Sequence, residues 1–209
     1  MFETTTLLTY LAASIAIILA PGPAQALVLA RSISDGKKAG ILTGIGLNVG
    51  TIVHTIAAAF GLSVILAQSA MAFAIVKYLG AGYLVYLGIQ ALFTQAPPDH
   101  QARPTAANPW QAFSKAVITG ILNPKVALFF LAFLPQFVDP ARGSIFWQFL
   151  ILGLLLALLD IFYESVLASV AGALSYWFTQ SPRLALWRQR FTGIVLVGLG
   201  VRLALTQRE

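Results

Sequence analysis

The chain is 209 residues long, 58% apolar and only 10% charged, against about 25% charged in a typical soluble domain. So little charge cannot cover a water-soluble globule. The outer surface is therefore expected to meet a lipid bilayer, and the length suits about six helices of roughly 20 residues each. The net charge is +6, but the basic residues cluster at the ends of apolar runs, where positive-inside anchoring accounts for them without a nucleic-acid partner. The chain has no cysteine, which excludes disulfides, Cys-ligated zinc and iron–sulfur clusters.

The N-terminal residues Met1-Phe2-Glu3 carry no positive charge and lead into a run followed by another span, so a cleaved signal peptide is not expected. Span 1 runs from about Thr5 to Ser32 and is broken by Pro21-Gly22-Pro23. A proline removes a backbone donor, and inside hydrocarbon such a break is tolerated only where it packs in protein or faces a polar cavity. After Ser34-Asp35-Gly36-Lys37-Lys38, span 2 runs from about Gly40 to Leu66, and span 3 follows Gln68-Ser69 as far as about Phe93. Pro97 to Pro109, with Asp99, His100 and Arg103, is a polar, flexible linker. Span 4, about Trp110 to Phe137, is interrupted at Asn123-Pro124; Asp139 to Gly143 is a turn; span 5 runs from about Ile145 to Phe178; and Ser181-Pro182-Arg183 leads to span 6, about Leu186 to Thr206.

The expected fold class is thus an all-α integral membrane protein of six transmembrane helices. Residues 1–209 form a single membrane domain, with three-helix halves at 1–93 and 110–209 and a linker at 94–109. With an offset of 101, Pro23, Ala26 and Leu27 fall on Pro124, Ala127 and Leu128, and Gly22 falls on Asn123. Three spans per half make the repeat inverted, and a pair of interrupted helices at matching positions is the best sequence pointer to a transporter's binding site. Placing the loops after spans 1, 3 and 5 on one side gathers Arg31, Lys37, Lys38, Arg103, Lys115, Arg183, Arg188 and Arg190 there. Arg142, Arg208, Lys77 and Arg202 remain for the other side. This bias predicts a cytoplasmic linker and both termini outside.

Polar residues near span centres each need a reason, because a charge there costs about 2.5–3.5 kcal/mol on insertion scales. A helix restarting after Pro21, Gly22 and Pro23 offers free amides and a positive dipole end to a carboxylate; the structural alternative is a satisfied kink. Asn123 can donate to a substrate or cap the restart after Pro124. Lys125 can serve as counter-ion to Asp160, meet an anionic group directly, or snorkel along the break. Asp160 and Glu164, with Tyr163 beside them, stand four residues apart on one helix face. That pattern suits ammonium or cation binding or proton carriage, or else a neutralised structural pair. His54 can carry a proton or simply bond a backbone carbonyl. Gly50 and Gly46 precede it by four and eight residues on a stripe that permits close helix approach, within the chain or in a homodimer. Gln25 and Asn48 read as packing contacts or as part of the site. No phosphate loop, zinc-ligand spacing or nucleophile elbow is present, and no cofactor is expected. Trp110, Trp147, Trp177 and Trp187 fall near span ends, as belt residues do.

The motifs Ala20-Pro21-Gly22-Pro23, Gly36-Lys37-Lys38-Ala39-Gly40 and Asn123-Pro124-Lys125-Val126-Ala127-Leu128-Phe129-Phe130 resemble those of the LysE-type (lysine exporter, or RhtB homoserine/threonine exporter) translocators of bacteria. The resemblance extends through Leu134-Pro135-Gln136-Phe137-Val138 and Gly198-Leu199-Gly200-Val201-Arg202. It implies a six-helix inner-membrane exporter of amino acids or related metabolites, driven by the proton gradient. The family often carries an acidic residue directly after Pro-Gly-Pro. Here that place is Ala24, which leaves more of the work to Asp160 and Glu164. Two other classes remain open from the residues alone: a membrane enzyme using Asp160, Glu164 and His54 as acid–base groups, and a channel or structural subunit.

Overall fold

Long apolar runs in lipid satisfy their backbone internally by becoming helices. A computed structural model describes residues 2–20, 22–68, 70–93, 109–180 and 182–205, and it contains no strand among them. Helix α1 spans Thr4–Leu19, α2 Pro23–Ser34, α3 Lys37–Gln68, α4 Ala70–Phe93, α5 Pro109–Ile121, α6 Pro124–Leu128, α7 Ile145–Gln180 and α8 Pro182–Leu205. A π-helical turn over Phe129–Phe133 and a 3₁₀ turn over Leu134–Phe137 continue α6, and a second 3₁₀ turn covers Pro140–Arg142. Among the described residues, Lys37–Val64, Trp110–Phe137 and Ile145–Ala171 are each long and apolar enough to cross a membrane. The bent pair α1 and α2 raises that to as many as four. Pro21 and residues 94–108 of the expected linker lie outside the described residues.

Local chemistry sets the helix ends. Gly36 takes φ +88°, a left-handed conformation that suits glycine, so α3 starts at Lys37 rather than at Gly40. Helix α8 begins at Pro182, where the missing proline N–H costs nothing in a first turn. The two proline motifs differ in geometry. Helices α1 and α2 meet at 58°, whereas α5 and α6 are separated by a short turn ending in Asn123 in an extended conformation (φ −72°, ψ 106°).

Helix α3 is the hub, packed against α2, α5 and α7, while α4 pairs mainly with α8. Glycines permit the tightest crossings. A side chain at Gly46 would meet the Phe113 carbonyl at 3.1 Å, and one at Gly50 or Gly120 would run into the facing backbone of α5 or α3. The stripe at Gly46 and Gly50 is therefore taken up by packing within the chain.

One apolar cluster is rich in aromatics, with Tyr10, Phe129, Phe133, Phe137 and Phe149 all buried. A smaller one joins Ala24, Val28, Leu47, Ala116, Leu167 and Ala168. Around the outside, Trp110, Trp147 and Trp187 are exposed close to the starts of α5, α7 and α8, as interfacial aromatics should be. At one end of the molecule Gln148 is wholly buried. Its side chain accepts from the Asp139 amide at 2.9 Å and donates to the Asp139 carbonyl at 2.8 Å. Arg142 pairs with Asp139 and with Glu3, so the start of α1 and the turn before α7 share a side.

Candidate functional site

The proline motif of the first half weakens the hydrogen bonding at the end of α1, where the Ile17 carbonyl keeps only a shared, 3.3 Å bond from the Ala20 amide. Ile17 would ordinarily accept from the residue four places on, but that residue is Pro21, which has no N–H. The ammonium of Lys125 fills the gap: Nζ donates to the Ile17 carbonyl at 3.0 Å and to the Ala20 carbonyl at 2.9 Å. Lys125 is aimed there by its own turn. The Asn123 side chain accepts from the Lys125 amide at 3.1 Å and so caps α6. Gly22 lies directly beneath the ammonium, since a side chain built there would meet Nζ at 3.8 Å.

Across from this junction α7 presents its carboxylates. Glu164 is 1% exposed, and its Oε2 accepts from the Asn48 side chain at 3.0 Å. Gly44 makes the room, because a side chain there would come within 2.9 Å of Glu164 Oε2. Asp160 stands one turn earlier and is half-buried. Residues of α1, α2, α3, α6 and α7 and the Asn123 turn line a partly open cavity of about 30 Å³, room for about two waters. Gln25, Thr51, Asn123, Lys125, Asp160 and Glu164 form its polar lining, and Ile17, Ile18, Val126, Phe129 and Leu156 its apolar wall. No ion pair within 4.0 Å joins Lys125 to either carboxyl group, so the amine and the two carboxyl groups face one another across the space. Gln25 is 4% exposed; its amide nitrogen donates to the Ile18 carbonyl, and its Oε1 has no partner. The Asn48 side-chain oxygen is likewise buried and unpartnered.

The structure thus brings Gln25, Asn123, Lys125, Asp160 and Glu164 onto one cavity, with Gly22 and Asn48 touching its members. It places others elsewhere. His54 Nε2 lies 2.9 Å from the Ile121 carbonyl with its ring stacked on Phe130, outside the cavity lining. Tyr163 is half-buried between the two apolar clusters. Pro23 and Pro124 open α2 and α6 without lining the cavity. Sequence reasoning missed Gly44 and Thr51. A signal existed: Gly44, Asn48, Thr51 and Thr55 recur at spacings of four, three and four along α3, which puts small and polar groups on one helical face. The carbonyl partners of Lys125 had no such signal, because they belong to a segment more than a hundred residues away. No group of three or more acidic or histidine side chains suited to a metal occurs among the described residues.

Apolar helices of membrane-crossing length, surrounding charged groups at a helix junction, define an integral membrane protein with an internal polar site. The chain belongs to the LysE type translocator family, whose model matches residues 15–207. It is 35% identical to the uncharacterized membrane protein PA4757 of Pseudomonas aeruginosa, over 94% of this chain and 93% of the relative. It is 32% identical to the uncharacterized membrane protein YrhP of Bacillus subtilis, over 96% and 99%. It is also 32% identical to the leucine efflux protein of Salmonella choleraesuis, over 95% and 94%. No solved structure matches the chain.

Proposed function

We propose that this protein is a secondary transporter of the bacterial inner membrane that exports an amino acid, with the proton gradient as driving force. The observation that carries the reading is the cavity itself, in which one ammonium and two carboxylates face each other over an apolar wall. A zwitterion with an apolar side chain matches that lining. The start of α2, with the positive end of its dipole, receives the carboxylate. Asp160 meets the ammonium group, and Ile17, Ile18, Val126, Phe129 and Leu156 receive the side chain. The relatives named for leucine efflux, at 32% identity over nearly full length, support a substrate of this kind. Glu164 or Asp160 carries the coupling proton, and His54, engaged with a carbonyl, is the reserve candidate.

Six spans in an inverted 3+3 repeat, 1–93 and 110–209 joined by a cytoplasmic linker at 94–109, provide the machinery; the export branch is the RhtB-like one. A cavity with room for about two waters does not admit an amino acid until one half rocks against the other. A homodimer would need a face other than the glycine stripe of α3.

The test is uptake into inside-out vesicles, screening amino acids with and without an imposed pH gradient. Accumulation of a leucine-like solute that collapses when the gradient is dissipated is the expected result. Conversion of the solute, or non-saturable flux indifferent to the gradient, would sink the proposal. In intact cells, single cysteines replacing Lys38 and Arg142 should label from inside and outside respectively; the reverse pattern would invert the assigned orientation.

A further inference from the structure

Lys125 does something unusual for a lysine beside two carboxylates: it spends its hydrogen bonds on carbonyls. Its Nζ sits 3.0 Å and 2.9 Å from the Ile17 and Ala20 oxygens at the C-terminal end of α1. One of those oxygens, that of Ile17, loses its usual donor four residues on to the proline at position 21 and keeps only a 3.3 Å bond from the Ala20 amide. The end of α1 also carries the negative pole of its dipole. Exposed carbonyls at the end of a half-helix, with carboxylates across a small cavity, are the ligand set with which discontinuous membrane helices hold a sodium ion, since hard cations take oxygen donors. Here two of those oxygens, the Ile17 and Ala20 carbonyls, already surround the Nζ position, and the carboxylates stand across the cavity beyond 4.0 Å. Asp160 and Glu164 line the same cavity as the ammonium without closing an ion pair to it.

We infer that Lys125 is a tethered monovalent cation: its ammonium occupies the position at the end of α1 that a sodium ion would otherwise fill, and it thereby makes the transporter independent of sodium. The inference builds on the transport reading above and adds to it the identity of the ion the protein does not need. It also assigns Lys125 a positioning role. The lysine belongs to the second half of the chain and its acceptors to the first, so the ammonium holds the bent end of α1 against α6. The open space over Gly22, where the nearest atoms are Lys125 Nζ and Cε, lets the charge lie close to the backbone.

The experiment compares sodium chloride with choline chloride at equal ionic strength. It reads the Tm of detergent-purified protein and the leucine transport rate after reconstitution. Wild type is expected to give the same Tm and rate in both salts. Lys125→Met keeps the length of the side chain and removes the charge. In choline it is expected to lose transport by about tenfold, the worth of a charge-assisted hydrogen bond. In sodium it should recover a large part of that rate and show a higher Tm. Sodium dependence of the wild type, or identical behaviour of Lys125→Met in the two salts, overturns the inference. Should the variant fail to fold in choline, recovery of folded protein when sodium is present throughout extraction supports the assignment, and failure in both media overturns it. The Tm comparison does not involve transport, so a wild type that moves no amino acid defeats the transport reading alone and leaves this one to be decided by the melting data.

Discussion

Asp160 and Glu164 are one helical turn apart, yet their surroundings divide the labour between them. Glu164 is wedged into the space left by Gly44 and is held by the Asn48 amide, whereas Asp160 is half-buried and faces the cavity. Both line the cavity, but a half-buried group is free to meet a ligand, whereas one buried and held by Asn48 is better placed to exchange a proton or brace its neighbour. Asp160→Asn keeps the shape and cannot change charge. It is expected to express and fold normally but to lose uphill accumulation by about a hundredfold or more, within the range that follows loss of a proton-transfer group. Glu164→Gln retains an oxygen for Asn48 and should be milder. Binding measured by Tm shift with substrate separates the roles: lost binding assigns Asp160 to the ammonium group, while retained binding and exchange without accumulation assign it to the proton. Wild-type accumulation by Asp160→Asn removes the residue from the mechanism.

The helices show how far the sequence could be read. Prolines and glycine announce the junction of α1 and α2, and the structure begins α2 at Pro23. The four-residue spacing of Asp160 and Glu164 correctly puts both on one face of α7, because both line the cavity. The partners of those faces were not legible. Nothing local to Lys125 names the Ile17 and Ala20 carbonyls, and nothing local to Gly44 names Glu164, since each contact is made by helices distant in the chain. His54 illustrates the same limit: its polarity marks it out, but only packing shows that the Ile121 carbonyl is its partner. The glycine stripe, compatible from sequence with two uses, is spent on the crossing of α3 and α5. Gly120→Val is accordingly expected to cost about 1–3 kcal/mol or more through overpacking, because the added carbon meets the Leu47 carbonyl. A lowered Tm checks this; an unchanged Tm would mean that the crossing relaxes freely.

For the whole molecule, the same chain must hold a polar cavity and keep its membrane sealed. The aromatic cluster bears on the second demand. Phe129 lines the cavity, and from it Phe133 and Phe137 lead towards the turn at Asp139 on the side of Glu3. Phe129 and Phe133 have ring centroids 5.2 Å apart, and Phe133 and Phe137 5.1 Å. Tyr10 packs edge-on against Phe137 and donates its hydroxyl to the Leu152 carbonyl at 2.6 Å. Aromatic pairs of this kind contribute about 0.5–1.5 kcal/mol each beyond the area they bury, enough to make the stack cohesive and dry. Its consequence is electrical. Protons hop along unbroken files of water, and a space for about two waters backed by stacked rings offers no file. We therefore predict that the resting protein is an insulator: liposomes holding it, loaded with a pH-sensitive dye and given a proton gradient without substrate, should discharge no faster than protein-free liposomes. Phe133→Ala opens the middle of the stack and should produce a leak. Equal leakage from wild type and Phe133→Ala would place the seal elsewhere. On the inner-membrane reading proposed above, those rings would be the difference between a harmless idle exporter and a short circuit.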